Sequence, residues 1–193
     1  MRTKIIATLV VAVAAAGAGA FWLAGRDSAV RPAWFRGEAT SALYSPIDTR
    51  QADGTPLTVA ELFPVASVGG LARGATTEFA DCAEVLDGVD AAGCTQALRA
   101  VYSGGPVAGQ FVVLNLADSA AADALVAALG KQGFVRQAIA FEAGRSRAQA
   151  RALGHYVTVS WVGPVSGTAD VSEAHVALDG VSKALLPRVV AAG

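Results

Sequence analysis

The sequence predicts an α+β fold: a two-layer sandwich in which an antiparallel sheet of about four strands carries helices packed on it, preceded by one N-terminal transmembrane helix or signal peptide. Three observations lead there. The segments QFVVLNL at residues 110–116 and HYVTVSWV at residues 155–162 have the β-branched and aromatic content of strands. Each is followed by a capped segment with an apolar stripe at helical spacing, opening at Asp118 and at Asp170. Short turns rich in Gly and Pro join the neighbouring strand segments, which favours antiparallel pairing.

The elements follow in order. Arg2 and Lys4 precede an uncharged run over residues 5–25, closed by Arg26 and Asp27. At about 1.5 Å per residue this run reaches about 31 Å as a helix, the thickness of a bilayer core. A true anchor competes with a cleavable signal peptide, for which Ala18-Gly19-Ala20 is a small-x-small cleavage site. Phe21 and Trp22 at the outer end favour the uncleaved anchor, and Arg2 and Lys4 place the N-terminus inside. No Cys follows the run, so a lipoprotein route is excluded. Residues 26–56, punctuated by Pro32, Pro46, Gly54 and Pro56, read as a juxtamembrane linker, of which Trp34, Phe35, Leu43, Tyr44 and Ile47 are too apolar for a free tether, so that part of it packs along the domain or on the membrane surface, packing along the domain being favoured. The extracytoplasmic α+β domain then spans residues 57–193.

Within the domain, Thr58 caps a short turn VAEL that Pro64 stops. Asp81 caps CAEVLDG, and a second short helix TQALRA follows Gly93-Cys94. Residues 101–103 and 110–116 form a hairpin across Gly104-Gly105-Pro106 and Gly109. Asp118 caps a helix whose stripe is Ala121, Leu125 and Leu129 with Ala122 and Val126 beside it. Residues 134–141 alternate as a half-exposed strand, residues 142–151 read as a loop, and residues 155–162 form a strand ended by Gly163-Pro164. Asp170 to Glu173 read as a capping box for a last helix with Val171, Leu178, Val181 and Leu185 on its buried stripe. The order strand, strand, helix occurs twice, which suggests a structural repeat.

Composition bounds the function. With 15 Lys+Arg against 16 Asp+Glu there is no basic footprint for nucleic acid, and no such partner is expected. Cys82 and Cys94 are the two cysteines, and in an exported domain they predict one disulfide. A redox role lacks a CxxC motif and a neighbouring cation; a zinc site lacks the remaining ligands.

No catalytic, cofactor-binding or metal-binding residue is assigned. His155, at a strand entry beside Gly154, is the residue to single out for chemistry. Its expected place is the apolar margin of the sheet, with a ring nitrogen bonded to main chain. His175, near Asp179 at i+4, is expected on the solvent side. A Ser-His-Asp set drawn from Ser103, Ser160, His155 and Asp118 lacks the G-x-S-x-G elbow that exposes a nucleophile. Walker, G-x-G-x-x-G, HExxH and calcium-loop motifs are absent. Arg145, Arg147 and Arg151 offer a basic cluster for anionic lipid or a wall polymer, weighed against a solvated loop.

Several segments together carry a resemblance: PLTVAELFP, DCAEVLDG followed by GCTQALRAVYS, FVVLNLADSAAADA and GHYVTVSWV. In combination they resemble an uncharacterised actinobacterial family of Streptomyces-type membrane-anchored exported proteins, over residues 56–193. The resemblance implies an address and no activity or site residue. The expected function is a non-catalytic, membrane-tethered extracytoplasmic interaction or sensing module of the actinobacterial cell envelope. It is held in the membrane by its N-terminal helix and meets an envelope protein partner. The alternatives are a small envelope hydrolase or transferase using His155, and a carrier of a hydrophobic ligand.

Overall fold

The computed structural model describes residues 29–193, so the anchor or signal expectation for residues 1–25 lies outside the described residues. The fold is α+β. Among the described residues there are nine strands: β1 Trp34–Glu38, β2 Ser67–Val68, β3 Leu71–Phe79, β4 Leu86–Asp87, β5 Gln96–Gly104, β6 Val107–Asn115, β7 Phe134–Val135, β8 Arg147–Leu153 and β9 Tyr156–Pro164. Four α-helices accompany them: α1 Val59–Leu62, α2 Ser119–Leu129, α3 Ser172–Asp179 and α4 Leu186–Ala192.

Seven strands form one curled sheet, a half-barrel, in the order β1-β8-β9-β6-β5-β3-β2. All its pairings are antiparallel except β1 with β8, which is parallel. The sheet is therefore larger than the four antiparallel strands expected, and mixed. It is also covered on both faces, so the two-layer expectation gives way. On one face Val112, Leu114, Val157, Val159 and Trp161 pack under α2. On the other, Leu98, Phe111, Val113 and Val162 pack under α1, α3 and the 3-10 turn Gly180–Leu185. The cause is visible in β6 and β9: every residue of both is buried, as central strands with two covered faces require.

Several local expectations change with the sheet. Residues 34–56 are part of the domain: Trp34–Glu38 is a sheet strand, and Ile47, in the 3-10 segment Ser41–Ile47, is fully buried. Arg31, also from the expected linker, donates to the carbonyls of Leu129, Gln132 and Gly133 and so completes the C-terminus of α2. TQALRA is not a helix; from Gln96 on it lies within β5, whose nine residues pair with β6 throughout. CAEVLDG shrinks to the 3-10 turn Cys82–Glu84, with Leu86–Asp87 paired to Phe134–Val135. That pairing uses up the strand expected over residues 134–141. Residues 142–151 contain a strand from Arg147 onward.

Other expectations hold. The β5–β6 hairpin turns through Gly105 at φ 55, where a side chain would be strained. Thr58 and Asp118 accept hydrogen bonds from the backbone N–H of Glu61 and Ala121. Ala122, Leu125, Val126 and Leu129 form the buried stripe of α2. The last helix begins where expected, but Asp170 Oδ1 accepts from the Ser172 N–H instead of forming a capping box. It ends at Asp179, passing through the 3-10 turn into α4. The strand-strand-helix order does recur as β5-β6-α2 and β8-β9-α3, with the two helices on opposite faces of the sheet. Cys82 and Cys94 are joined in a disulfide with their Cα atoms 6.1 Å apart.

Candidate functional site

His155 follows Gly154, whose φ of 60 makes the β8–β9 turn; a Cβ there would collide with the Ile47 carbonyl. The close approach presents that carbonyl to His155. The His155 backbone N–H donates to Ile47 O at 2.9 Å, and Nδ1 lies 2.8 Å from the same oxygen. Because a carbonyl can only accept, Nδ1 carries the hydrogen and the ring is the neutral Nδ1–H tautomer. Nε2 is buried without a partner, and the residue has 0% exposure. Burial pushes its pKa down. The ring thus sits in the margin of the sheet, bonded to main chain, and its free lone pair faces no solvent.

Neighbouring Tyr156 belongs to a polar network. Its hydroxyl donates to Asp53 Oδ2 at 2.7 Å, and Asp53 Oδ1 accepts from Arg188 at 2.7 Å. Arg188 also grips Glu61 through two nitrogens at 2.5 and 2.8 Å and reaches the carbonyls of Thr55 and Pro56. The hydrogen bond from Arg188 pulls the Glu61 pKa down, and the same bond raises that of Arg188. Burial, reinforced by Asp53, pushes the Tyr156 hydroxyl up. The donors of Arg188 are taken by its own chain, so this network ties α4 to residues 53–61.

The remaining sequence candidates disperse. His175 is 6% exposed and edge-on to Trp34 at 5.9 Å, with Nε2 unpartnered. The solvent-side expectation fails because α3 turns that face towards β1. The three arginines form no open cluster. Arg145 bonds Gly167 O and Glu142, Arg147 lies over Trp34, and Arg151 holds Asp179 and Glu38. Asp118 is spent as a cap and Ser160 faces Asp179 at 3.4 Å, so no Ser-His-Asp set assembles around His155. Among the described residues, no group of three or more His, Cys, Asp or Glu side chains is placed to hold a metal ion.

Two clefts lie apart from these networks. A polar one of about 550 Å³ lies at the strand ends, with Arg50, Glu78, Gln96 and Asn115 on its walls. Much of it is structural: Gln96 receives the Leu57 N–H and donates to Leu57 O and Glu78, and Arg50 donates to Gly93 O and Thr95.

The other is an apolar groove of about 610 Å³ between residues 62–68 and the α3 end, walled by Phe63, Val65, Val68, Val176 and Val181. At its rim Val65 is 51% and Val176 72% exposed. Tyr102 forms part of its lining and is itself 1% exposed. Sequence reasoning missed this groove. One signal was present: Val176 lies off the buried stripe of Val171, Leu178 and Leu185, an apolar residue with no core to face. No protein-family model, curated protein or solved structure matches the chain, so the functional reading rests on this geometry.

Proposed function

We propose that the chain is a non-catalytic, membrane-tethered extracytoplasmic interaction or sensing module of the actinobacterial cell envelope, and that it engages its partner through the apolar groove. The observation that carries the reading is the exposed pair Val65 and Val176 beside a groove walled by Phe63, Val68 and Val181. Apolar side chains gathered around one groove give a partner a surface to bury. The disulfide supports the extracytoplasmic address, because such bonds persist in oxidising compartments. The apolar run over residues 5–25 supports the tether. The hydrolase alternative draws no support from His155, whose Nε2 is sealed from any substrate.

The test uses the full chain in its own envelope. A photoreactive residue at position 176 should give a covalent adduct that the same residue at position 131, on the far side of the sheet, does not. The adduct-bearing chain should stay with the membrane under carbonate extraction. Equal labelling at both positions would refute the groove as the contact. Recovery of a mature chain starting at Phe21 in the medium would refute the tether.

A further inference from the structure

We infer that the folded domain docks on the lipid head groups through the end of the sheet that carries Val30, Trp34 and Val165, with Arg145 and Arg147 at head-group level. This docking rests on the membrane tether proposed above and adds which surface of the domain the tether holds against the bilayer. Three observations carry it.

The first is reach. The uncharged run ends at Gly25, and Ala29, four peptide steps later, is the first described residue. Even fully extended, those steps cover about 14 Å. A head-group layer of about 6 Å takes up part of that, which leaves Ala29 within about 8 Å of the outermost lipid atoms. The surface around the chain entry therefore cannot stand off from the bilayer, and only the tilt of the domain is left to its side chains.

The second is what surrounds that entry. β1 and β8 begin there and β9 ends there, since Trp34 is in register with Arg147 and Arg147 with Val162. Main-chain bonds hold the neighbouring loops side by side: the Ala33 N–H donates to Ala143 O, the Glu142 N–H to Pro164 O and the Val165 N–H to Pro106 O. On these segments Val30, Trp34 and Val165 are 51%, 43% and 48% exposed, and none of the three belongs to either apolar core. Arg147 lies over the Trp34 ring at 5.6 Å, and Arg145 bonds Gly167 O across the same loops. Indole rings and long basic side chains collect at head-group level, where an apolar body meets hydrocarbon and a polar tip meets water or phosphate.

The third is the distribution of charge along the sheet. At the opposite end, where β3 and β6 finish, lie Glu78, Asp81 and Asp118. Asp48 and Asp123 adjoin them, through the bond from the Ser119 N–H to Asp48 O and that from the Ser41 hydroxyl to Asp123. None of these five carboxylates has an ion-pair partner among the described residues. At the entry end Glu142 matches Arg145, whereas Arg147 has no such partner among the described residues. Carboxylates resist desolvation at a lipid surface and are repelled by anionic head groups, while an indole and aliphatic side chains gain from the contact. The charge pattern thus favours the same end that the short connection brings to the bilayer.

The experiment uses the full chain in its own membranes, with a photoreactive residue placed in turn at positions 30, 165 and 43 and mass spectrometry to identify each adduct. Leu43 follows the far end of β1 and is 78% exposed, so position 43 reports any lipid contact due to exposure alone. Lipid adducts should form at 30 and 165 and not at 43. Trp34→Ser should lower the lipid yield at 165 about fivefold, as loss of burial for a half-exposed large side chain implies. Val165→Ser should lower the yield at 30 by about threefold on the same grounds. Circular dichroism checks the fold of both variants, and Val165→Ser, outside both cores, decides the matter if Trp34→Ser unfolds.

Lipid yields that neither variant changes would mean that proximity alone brings lipid to this end, and would overturn the docking. So would equal lipid yields at 43, or adducts at 30 and 165 that consist of protein. In each of these cases a chain that resists carbonate extraction would keep the tether while the docking falls. A chain released by carbonate would remove both.

Discussion

Replacing Arg188 by Met tests the claim that the C-terminal helix is held by one side chain. Met keeps an apolar stem of similar reach and removes the guanidinium. None of the residues of α4 is fully buried, so packing alone holds it weakly. Arg188 is 10% exposed at its side chain and binds Asp53, 11% exposed, and Glu61, 30% exposed. Removing one partner of a buried ion pair costs about 3–5 kcal/mol, because the other charge is left desolvated. The partial exposure of Glu61 puts this case at the lower end, about 3 kcal/mol, which lowers Tm by about 6–12 °C for a domain of this size. Arg188→Lys keeps the charge but loses the two-pronged grip on Glu61, and should fall between the two.

Urea denaturation followed by circular dichroism measures the global loss. Amide exchange over residues 186–192 shows whether α4 releases first, which would cap the global effect at the cost of local opening. The defect is also pH-dependent. Arg188 lowers the Glu61 pKa in the folded state, so the stabilisation is present above the unfolded carboxyl value and disappears as pH falls through the folded one. The gap between wild type and Arg188→Met should therefore close in acid. A change below about 0.5 kcal/mol with unaltered exchange in α4 would refute the account, since surface substitutions commonly fall in that range.

Mass spectrometry without reduction should find Cys82 and Cys94 linked, and replacing both by Ser should cost about 3 kcal/mol in chemical denaturation, as expected for a loop of this length. Two alkylatable thiols in protein taken from the cell surface would contradict this. Burial lowers the pKa of both His155 and His175, so each contributes stability that is present above the unfolded value near about 6.5 and is lost as pH falls below it. Stability should fall as pH drops below the unfolded value, and His155→Gln should remove one ring's share of that fall while keeping a donor for Ile47 O. A pH-independent stability between 6.5 and 5 would show that neither ring is sealed.

What the sequence determined by itself lies in local chemistry. The caps at Thr58 and Asp118, the stripe of α2, the turn at Gly105 and the strand into which His155 leads are each set by residues within a few positions of one another. So is the main-chain bond of His155, in its kind if not its partner: a His at a strand entry beside an apolar face needs an acceptor, and the backbone is the acceptor always at hand. The pairing of Cys82 with Cys94 also follows from there being two cysteines in one segment.

Only the tertiary structure decided which strands exist at the margins of the sheet and where the groove lies. Leu71–Phe79 has an irregular exposure pattern and no continuous apolar run, yet it is a strand because β5 offers it a ladder; Trp34–Glu38 is one because β8 does. TQALRA is compatible with a helix on propensity alone, and pairing with β6 overrides that preference. The site residues are more distant still. Asp53, Glu61, Tyr156 and Arg188 meet across as many as 135 positions of sequence. Side-chain periodicity reports which face of an element is apolar, but the identity of what covers that face depends on long-range packing, and so the unpartnered Val176 acquires meaning only beside Val65 and Tyr102.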